Sequence, residues 1–100
     1  MHQDYYLIEV KPSTTTTKKW TAFFGHKDSK RIKKVSFGAK GMDDYTLTHD
    51  KAQRERYRTR HKKDLETGDP LRAGFLSYYL LWNKKTLNAS IQDYKERFHL

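Results

Sequence analysis

The run from Asp69 to Trp82, DPLRAGFLSYYLLW, constrains the fold of this chain more than any other stretch. Leu71, Phe75, Tyr78 or Tyr79, and Trp82 recur at helical spacing, with Leu76, Leu80 and Leu81 between them. Beyond Arg72 and Ser77 there is little to make a polar face. A surface helix keeps one side wet, so a helix that is apolar nearly all round belongs at the centre of a domain. Asp69 followed by Pro70 predicts an N-cap and a first helical residue. A membrane span takes about 20 apolar residues. The thirteen residues after Asp69 fall short of that. No membrane insertion is expected, and the run predicts a core helix.

A core helix needs partners, and the N-terminal part of the chain supplies strands. Tyr5 to Val10 is β-branched and aromatic. Its two faces are Tyr5/Leu7/Glu9 and Tyr6/Ile8/Val10, and the second, wholly apolar or aromatic, predicts the core side. Lys11-Pro12-Ser13 ends that strand, and Thr14 to Thr17 falls in the connection. Trp20 to Phe24 predicts a second strand with Trp20, Ala22 and Phe24 on one face. Gly25 to Lys30 is a polar turn, and Ile32 to Phe37 a third strand with Val35 and Phe37 together. Three strands with short connections predict an antiparallel meander. Gly38 to Gly41 (GAKG) predicts a turn at positive φ. It is not a phosphate-binding P-loop, since the spacing is short and Lys40 is not followed by Ser or Thr. Asp43 and Asp44 read as solvated turn acids.

Helices complete the chain. One is expected from a cap at Thr48, with Asp50 in its first turn, to about Asp64. After the core helix a third is capped by Thr86, with Leu87, Ile91, Tyr94 and Phe98 at i, i+4, i+7 and i+11. The expected fold is therefore α+β. It is a three-stranded antiparallel meander over about 5–37 followed by three helices over about 48–98, the second being the core helix, in a single small basic domain spanning 1–100.

Chemistry-bearing constellations are sparse. Cysteine is absent, which removes disulfides and thiolate metal sites. His2, His26, His49, His61 and His99 are scattered without the paired spacing of a zinc site. Ser36, Ser77 and Ser90 sit in nothing like a nucleophile elbow. No catalytic, cofactor or metal residue is assigned, and no enzymatic activity is expected. The opening residues MHQDYYLIEV lack the basic start and long apolar region of a signal peptide.

Charge is the stronger signal. The chain carries a formal net charge of +9, which points to a polyanionic partner. Lys51 to Lys63 alone holds seven positive charges against one negative. Its centre is the alternating run Arg54, Arg56, Arg58, Arg60. At 3.6 residues per turn, Arg54 and Arg58 lie within about 40° of each other with Lys51 and Lys62 nearby, and Arg56, Arg60 and Lys63 lie roughly opposite. Tyr57 and His61 fall between the two flanks as a narrow buried stripe. A helix reading a DNA groove would carry one basic face. Two flanks instead suggest a helix wedged between acidic protein surfaces, because arginine pairs bidentately with carboxylates. The expected binding residues are Lys51, Arg54, Arg56, Arg58, Arg60, Lys62 and Lys63.

Several short motifs carry a resemblance. They are Phe37-Gly38-Ala39-Lys40-Gly41, Asp44-Tyr45-Thr46, Asp50, and Tyr57 with Arg60-His61-Lys62-Lys63. Asp69-Pro70, Ala73-Gly74-Phe75, Leu81-Trp82-Asn83-Lys84 and Ser90-Ile91 continue them. Over about Val35 to Phe98 the chain resembles a family of small basic proteins encoded by nucleocytoplasmic large DNA viruses, especially algal and giant viruses. Lys85 stands where that family often has proline. The family carries no established activity, so the resemblance implies a viral origin and not a mechanism. The resulting expectation is a non-enzymatic structural protein of the virion, a minor capsid or other component bridging larger viral proteins with acidic surfaces. It would be found in virions, and in the host cytoplasm or viral factory during assembly. The alternative is a protein that binds DNA or RNA without sequence preference, serving genome packaging or viral gene expression.

Overall fold

The computed structural model describes residues 2–100. Three strands, β1 (Tyr5–Pro12), β2 (Lys18–His26) and β3 (Ile32–Ala39), form an antiparallel sheet in the order β1-β2-β3. Helices α1 (Tyr45–Thr48), α2 (Lys51–Arg60), α3 (Ala73–Leu76) and α4 (Leu87–Phe98) follow, with a 3-10 turn at Lys62–Thr67 and a π-helical turn at Ser77–Leu81. The fold is α+β, a meander with the helices after it.

Alternation along β2 sets the core face. Ala22 and Phe24 are fully buried, and opposite them stand Val35 and Lys33 of β3. Trp20 pairs with Phe37, which is also fully buried. In β1 the core side is not Tyr6/Ile8/Val10. Leu7 is buried, whereas Tyr6 and Ile8 are 44% and 43% exposed. The cause is a bulge: Leu7 pairs with Phe24 but Glu9 already pairs with Phe23, leaving Ile8 as an extra residue. One unpaired residue resets the period-two pattern, so Leu7 and Val10 both face the core. The free edge of β1 is blunted where the Leu7 amide donates to the Leu100 carbonyl at 2.9 Å.

The apolar run forms the centre of the helical layer, but its helix starts later than the Asp-Pro pair suggests. The Asp69 carboxylate accepts from the Leu71 amide at 3.0 Å, closing a turn rather than capping a helix. Arg72 is extended, and α3 begins at Ala73. From Ser77 the helix widens into a π turn and ends at Trp82. Phe75, Leu76, Tyr78, Leu80, Leu81 and Trp82 are buried, while Tyr79 is half-buried under the ring of Phe98. This central helix packs on β3 and on α4. In α4, Tyr94 is fully buried, and its hydroxyl donates to the Pro70 carbonyl. Thr86 caps α4 by accepting from the Ala89 amide at 3.1 Å, so Lys85 in place of proline does not displace the helix start. No helix among the described residues is long and apolar enough to cross a membrane.

The stretch from Gly38 to Asp50 differs from expectation in two ways. Gly38 and Gly41 do adopt positive φ, at 79° and 86°. Asp44 is not a solvated turn acid, since it is 2% exposed. Its carboxylate caps α1 by accepting from the Thr46 amide and hydroxyl, and Lys19 reaches it at 2.6 Å. A buried carboxylate needs a partner of this kind. Asp50, not Thr48, caps the basic helix, accepting from the Ala52 and Gln53 amides at 3.0 and 3.1 Å. Helical geometry lapses after Arg60 and resumes as the 3-10 turn, which Gly68 ends at φ 66°.

Candidate functional site

Helix α2 has no fully buried residue. What holds it to the domain is a column of rings and two arginines. Tyr57 stacks between His61, at 4.1 Å between centroids, and Trp82, at 4.4 Å. Burial, and then the charge of Asp64, push the Tyr57 phenol up to about 12. His61 also pairs with Asp64 at 3.2 Å.

Arg54 and Arg58 belong to this inward side. Arg58 donates to the Trp82 carbonyl at 3.0 Å, and its guanidinium lies 4.4 Å from the centre of the Tyr78 ring. Arg54 donates to the Asn83 carbonyl at 3.1 Å and lies 4.8 Å from the Tyr45 ring. The Trp82 carbonyl caps the central helix and the Asn83 carbonyl follows it, at an end where the backbone lacks intrahelical donors and the dipole favours a cation. This differs from two equivalent flanks: Arg54 and Arg58 are engaged within the domain and tie α2 to the end of the central helix.

The remaining cations are spread over more than one side: Arg56 and Arg60 share the outer side of α2, Lys51 lies by helical spacing nearer Arg58, and Lys62 and Lys63 follow on the 3-10 turn. Lys51, Arg56, Arg60, Lys62 and Lys63 are all exposed. None forms a salt bridge among the described residues. Arg60 and His61 also border a cavity of about 570 Å³, lined by Gly38, Met42, Tyr57 and Trp82 among others. The structure thus brings five of the seven expected residues to the surface and turns two inward.

The histidines have local roles. His49 and His99 hold the left-handed positions that end α1 and α4, with φ of 55° and 56°. His26 meets the Tyr5 ring edge-on at 5.1 Å. Among the described residues no group of three His, Asp or Glu side chains is placed to share a metal ion. A second basic region lies in the strands and turns of the sheet. Residues 1–40 hold nine Lys/Arg against three Asp/Glu.

A family model described as "Family of unknown function (DUF5754)" matches residues 8–61, more than half of the chain. The match takes in β1 from Ile8, the rest of the sheet, α1 and α2. No curated protein and no solved structure matches.

Proposed function

We propose a role for a chain that belongs to DUF5754, a family of unknown function: it is a non-enzymatic interaction protein that seats its outward basic face on an acidic surface of a larger protein. The observation that carries this reading is the division of labour on α2. Arg54 and Arg58 are consumed by carbonyls and rings of their own domain, whereas Arg56, Arg60, Lys62 and Lys63 are exposed and unpaired by any carboxylate among the described residues. Exposed ion pairs contribute on the order of 0–1 kcal/mol. The same arginine buried against a partner carboxylate is worth about 2–5 kcal/mol of binding when truncated. Such a face therefore adds little to folding and much to association.

The resemblance to proteins of large DNA viruses supplies the setting. There the chain is a minor capsid or other virion component, held against larger shell proteins and assembled in the host cytoplasm or viral factory. The test is a pair of double variants, Arg56→Ala/Arg60→Ala and Lys62→Ala/Lys63→Ala. Both are expected to melt like the parent and to be lost from purified particles. Wild-type incorporation of both would reduce the face to a solvated surface.

A second reading is favoured by the inward turn of Arg54 and Arg58, which leaves Arg56 and Arg60 as the outer basic side of α2. One basic side suits a phosphate backbone as well as it suits carboxylates. Fractionating particles into shell and genome-associated core separates the two readings. Retention with the core, together with duplex binding that falls steeply with salt, would select the nucleic-acid alternative.

A further inference from the structure

We propose that the sheet face turned away from the helices binds single-stranded nucleic acid, with bases stacking on Phe23 and Tyr6 and phosphates held by Lys11 and Lys34. This goes beyond the role assigned to α2, and no residue of that helix takes part.

Strand register puts nine residues on this face in three rows. They are Tyr6-Gly25-Ile32, Glu9-Phe23-Lys34 and Lys11-Thr21-Ser36. Side-chain contacts agree with the register. Thr21 and Ser36 share a hydrogen bond of 3.0 Å, and Lys11 pairs with Glu9 at 3.3 Å. Phe23 is at the centre, with the ammonium groups of Lys11 and Lys34 each 5.8 Å from its ring centroid. The Tyr6 ring lies over Gly25 so closely that a Cβ there would stand 2.7 Å from it. Glycine at 25 is what lets that ring lie on the sheet. Tyr6 and Ile32, at the two ends of this row, are 44% and 52% exposed.

Tyr6 of β1 pairs with Gly25, two residues along β2 from Phe23, so the two aromatic positions are diagonal neighbours about 7–8 Å apart, which suits neighbouring bases splayed onto one surface. Stacking on rings with flanking cations is how single strands are held without sequence preference. A duplex hides its base faces, and this flat surface offers no helix or ribbon to a groove. The charge of the unit matches the partner: residues 1–40 carry nine Lys/Arg against three Asp/Glu. Glu9, the single acid in the three rows, pairs with Lys11 at 3.3 Å with both side chains exposed, a weak pairing from which a phosphate can draw the ammonium.

The experiment measures anisotropy of fluorescein-labelled 12-nucleotide oligothymidylate, and of a duplex of the same length, at low and physiological salt. The single strand is expected to bind at least tenfold more tightly than the duplex. Phe23→Leu and Tyr6→Leu, which keep apolar bulk but remove the ring, should each weaken single-strand binding about 5- to 150-fold. Duplex binding should not change. Lys11→Ala and Lys34→Ala should each flatten the single-strand salt slope by about 0.7. Amide shifts on adding the oligonucleotide should fall on β1–β3, a readout that a merely destabilised variant would not mimic. Equal binding of both nucleic acids, abolished by Arg56→Ala/Arg60→Ala and untouched by the ring variants, would overturn this inference while leaving α2 as the interface. A dimer in sedimentation that Phe23→Leu disperses would assign the face to a second copy and overturn it too. If the Arg56/Arg60 variant enters particles normally while the ring variants lose single-strand binding, the role of α2 falls and the sheet assignment stands.

Discussion

Replacing Arg58 tests the clamp between α2 and the end of the central helix. The guanidinium donates to the Trp82 carbonyl at 3.0 Å and lies 4.4 Å from the Tyr78 ring centre. A hydrogen bond from a charged donor contributes about 1.5–3 kcal/mol, and a partly desolvated cation over a ring about 0.5–2 kcal/mol. Truncation also leaves a carbonyl beside a buried tryptophan without its donor. Arg58→Ala is therefore expected to cost about 2–4 kcal/mol, a large share of the roughly 5–15 kcal/mol that holds a domain together. For a chain of this length, each kcal/mol lowers Tm by about 4–8 °C, so the variant should melt at least about 8 °C below the parent. Arg54→Ala should act in the same direction through Asn83 and Tyr45. Because both arginines serve adjacent carbonyls, the double variant should be non-additive. Arg56→Ala, on the outward face of the same helix, should stay within about 0.5 kcal/mol. Urea unfolding followed by circular dichroism gives the comparison directly. If Arg58→Ala and Arg56→Ala unfold at the same urea midpoint, the clamp does not exist and the division between the two sides of α2 collapses.

Three further outcomes follow from other contacts. Lys19→Met strands the Asp44 carboxylate, which is 2% exposed; breaking a buried pair this way should cost about 3–5 kcal/mol, read by thermal melting. The Tyr57 phenol, pushed up to about 12 by burial, should remain protonated at about pH 11, where exposed tyrosines near 10 have ionised. Its folded value exceeds its unfolded one, so its contribution is complete below about pH 10 and fades as pH rises toward about 12; ultraviolet titration of Tyr57→Phe against the parent isolates it. At Asp93, partial burial raises the carboxyl, but hydrogen bonds from Asn83 and Arg97 and the charges of Arg97 and Lys84 outweigh it and hold the group below its ordinary value. That contribution is present above about pH 4 and is lost as pH falls through the folded value, so the stability gap between the parent and Asp93→Asn should narrow in acid.

Elements whose pattern is local were legible in the sequence. Trp20, Ala22 and Phe24 share a face because β2 is regular, and Leu87, Ile91, Tyr94 and Phe98 share one because α4 is. Thr86 caps α4 as its position predicts. The failures have a common physical origin in contacts distant along the chain. Asp44 looks like a turn acid until Lys19, 25 residues away, is brought to it. Asp69-Pro70 is as good a turn signal as a helix start, and burial of Pro70 and Leu71 decides between them. On α2 the wheel angles were right, but a helix whose stripe holds one tyrosine and one histidine does not say which arginines face inward. Arginine can bury its stem and satisfy its head on carbonyls and rings, leaving no apolar signature. The outer sheet face was hidden for another reason: its residues meet only through cross-strand register.

The bulge in β1 makes strand length, rather than side-chain identity, the unusual variable in this fold. In an ordinary strand, deleting one residue inverts every later side chain between core and solvent. Here Ile8 is the surplus residue, and Leu7, Glu9 and Val10 already alternate about it as though it were missing. A chain lacking Ile8 would therefore keep Leu7 and Val10 inward and Glu9 outward, losing the local bend but not the pairing. Position 8 is thus a place where this chain could lose one residue and still present the same two faces. An alignment that forces equal spacing through β1 would pair inward with outward positions and blur the sheet's pattern from there toward the N-terminus.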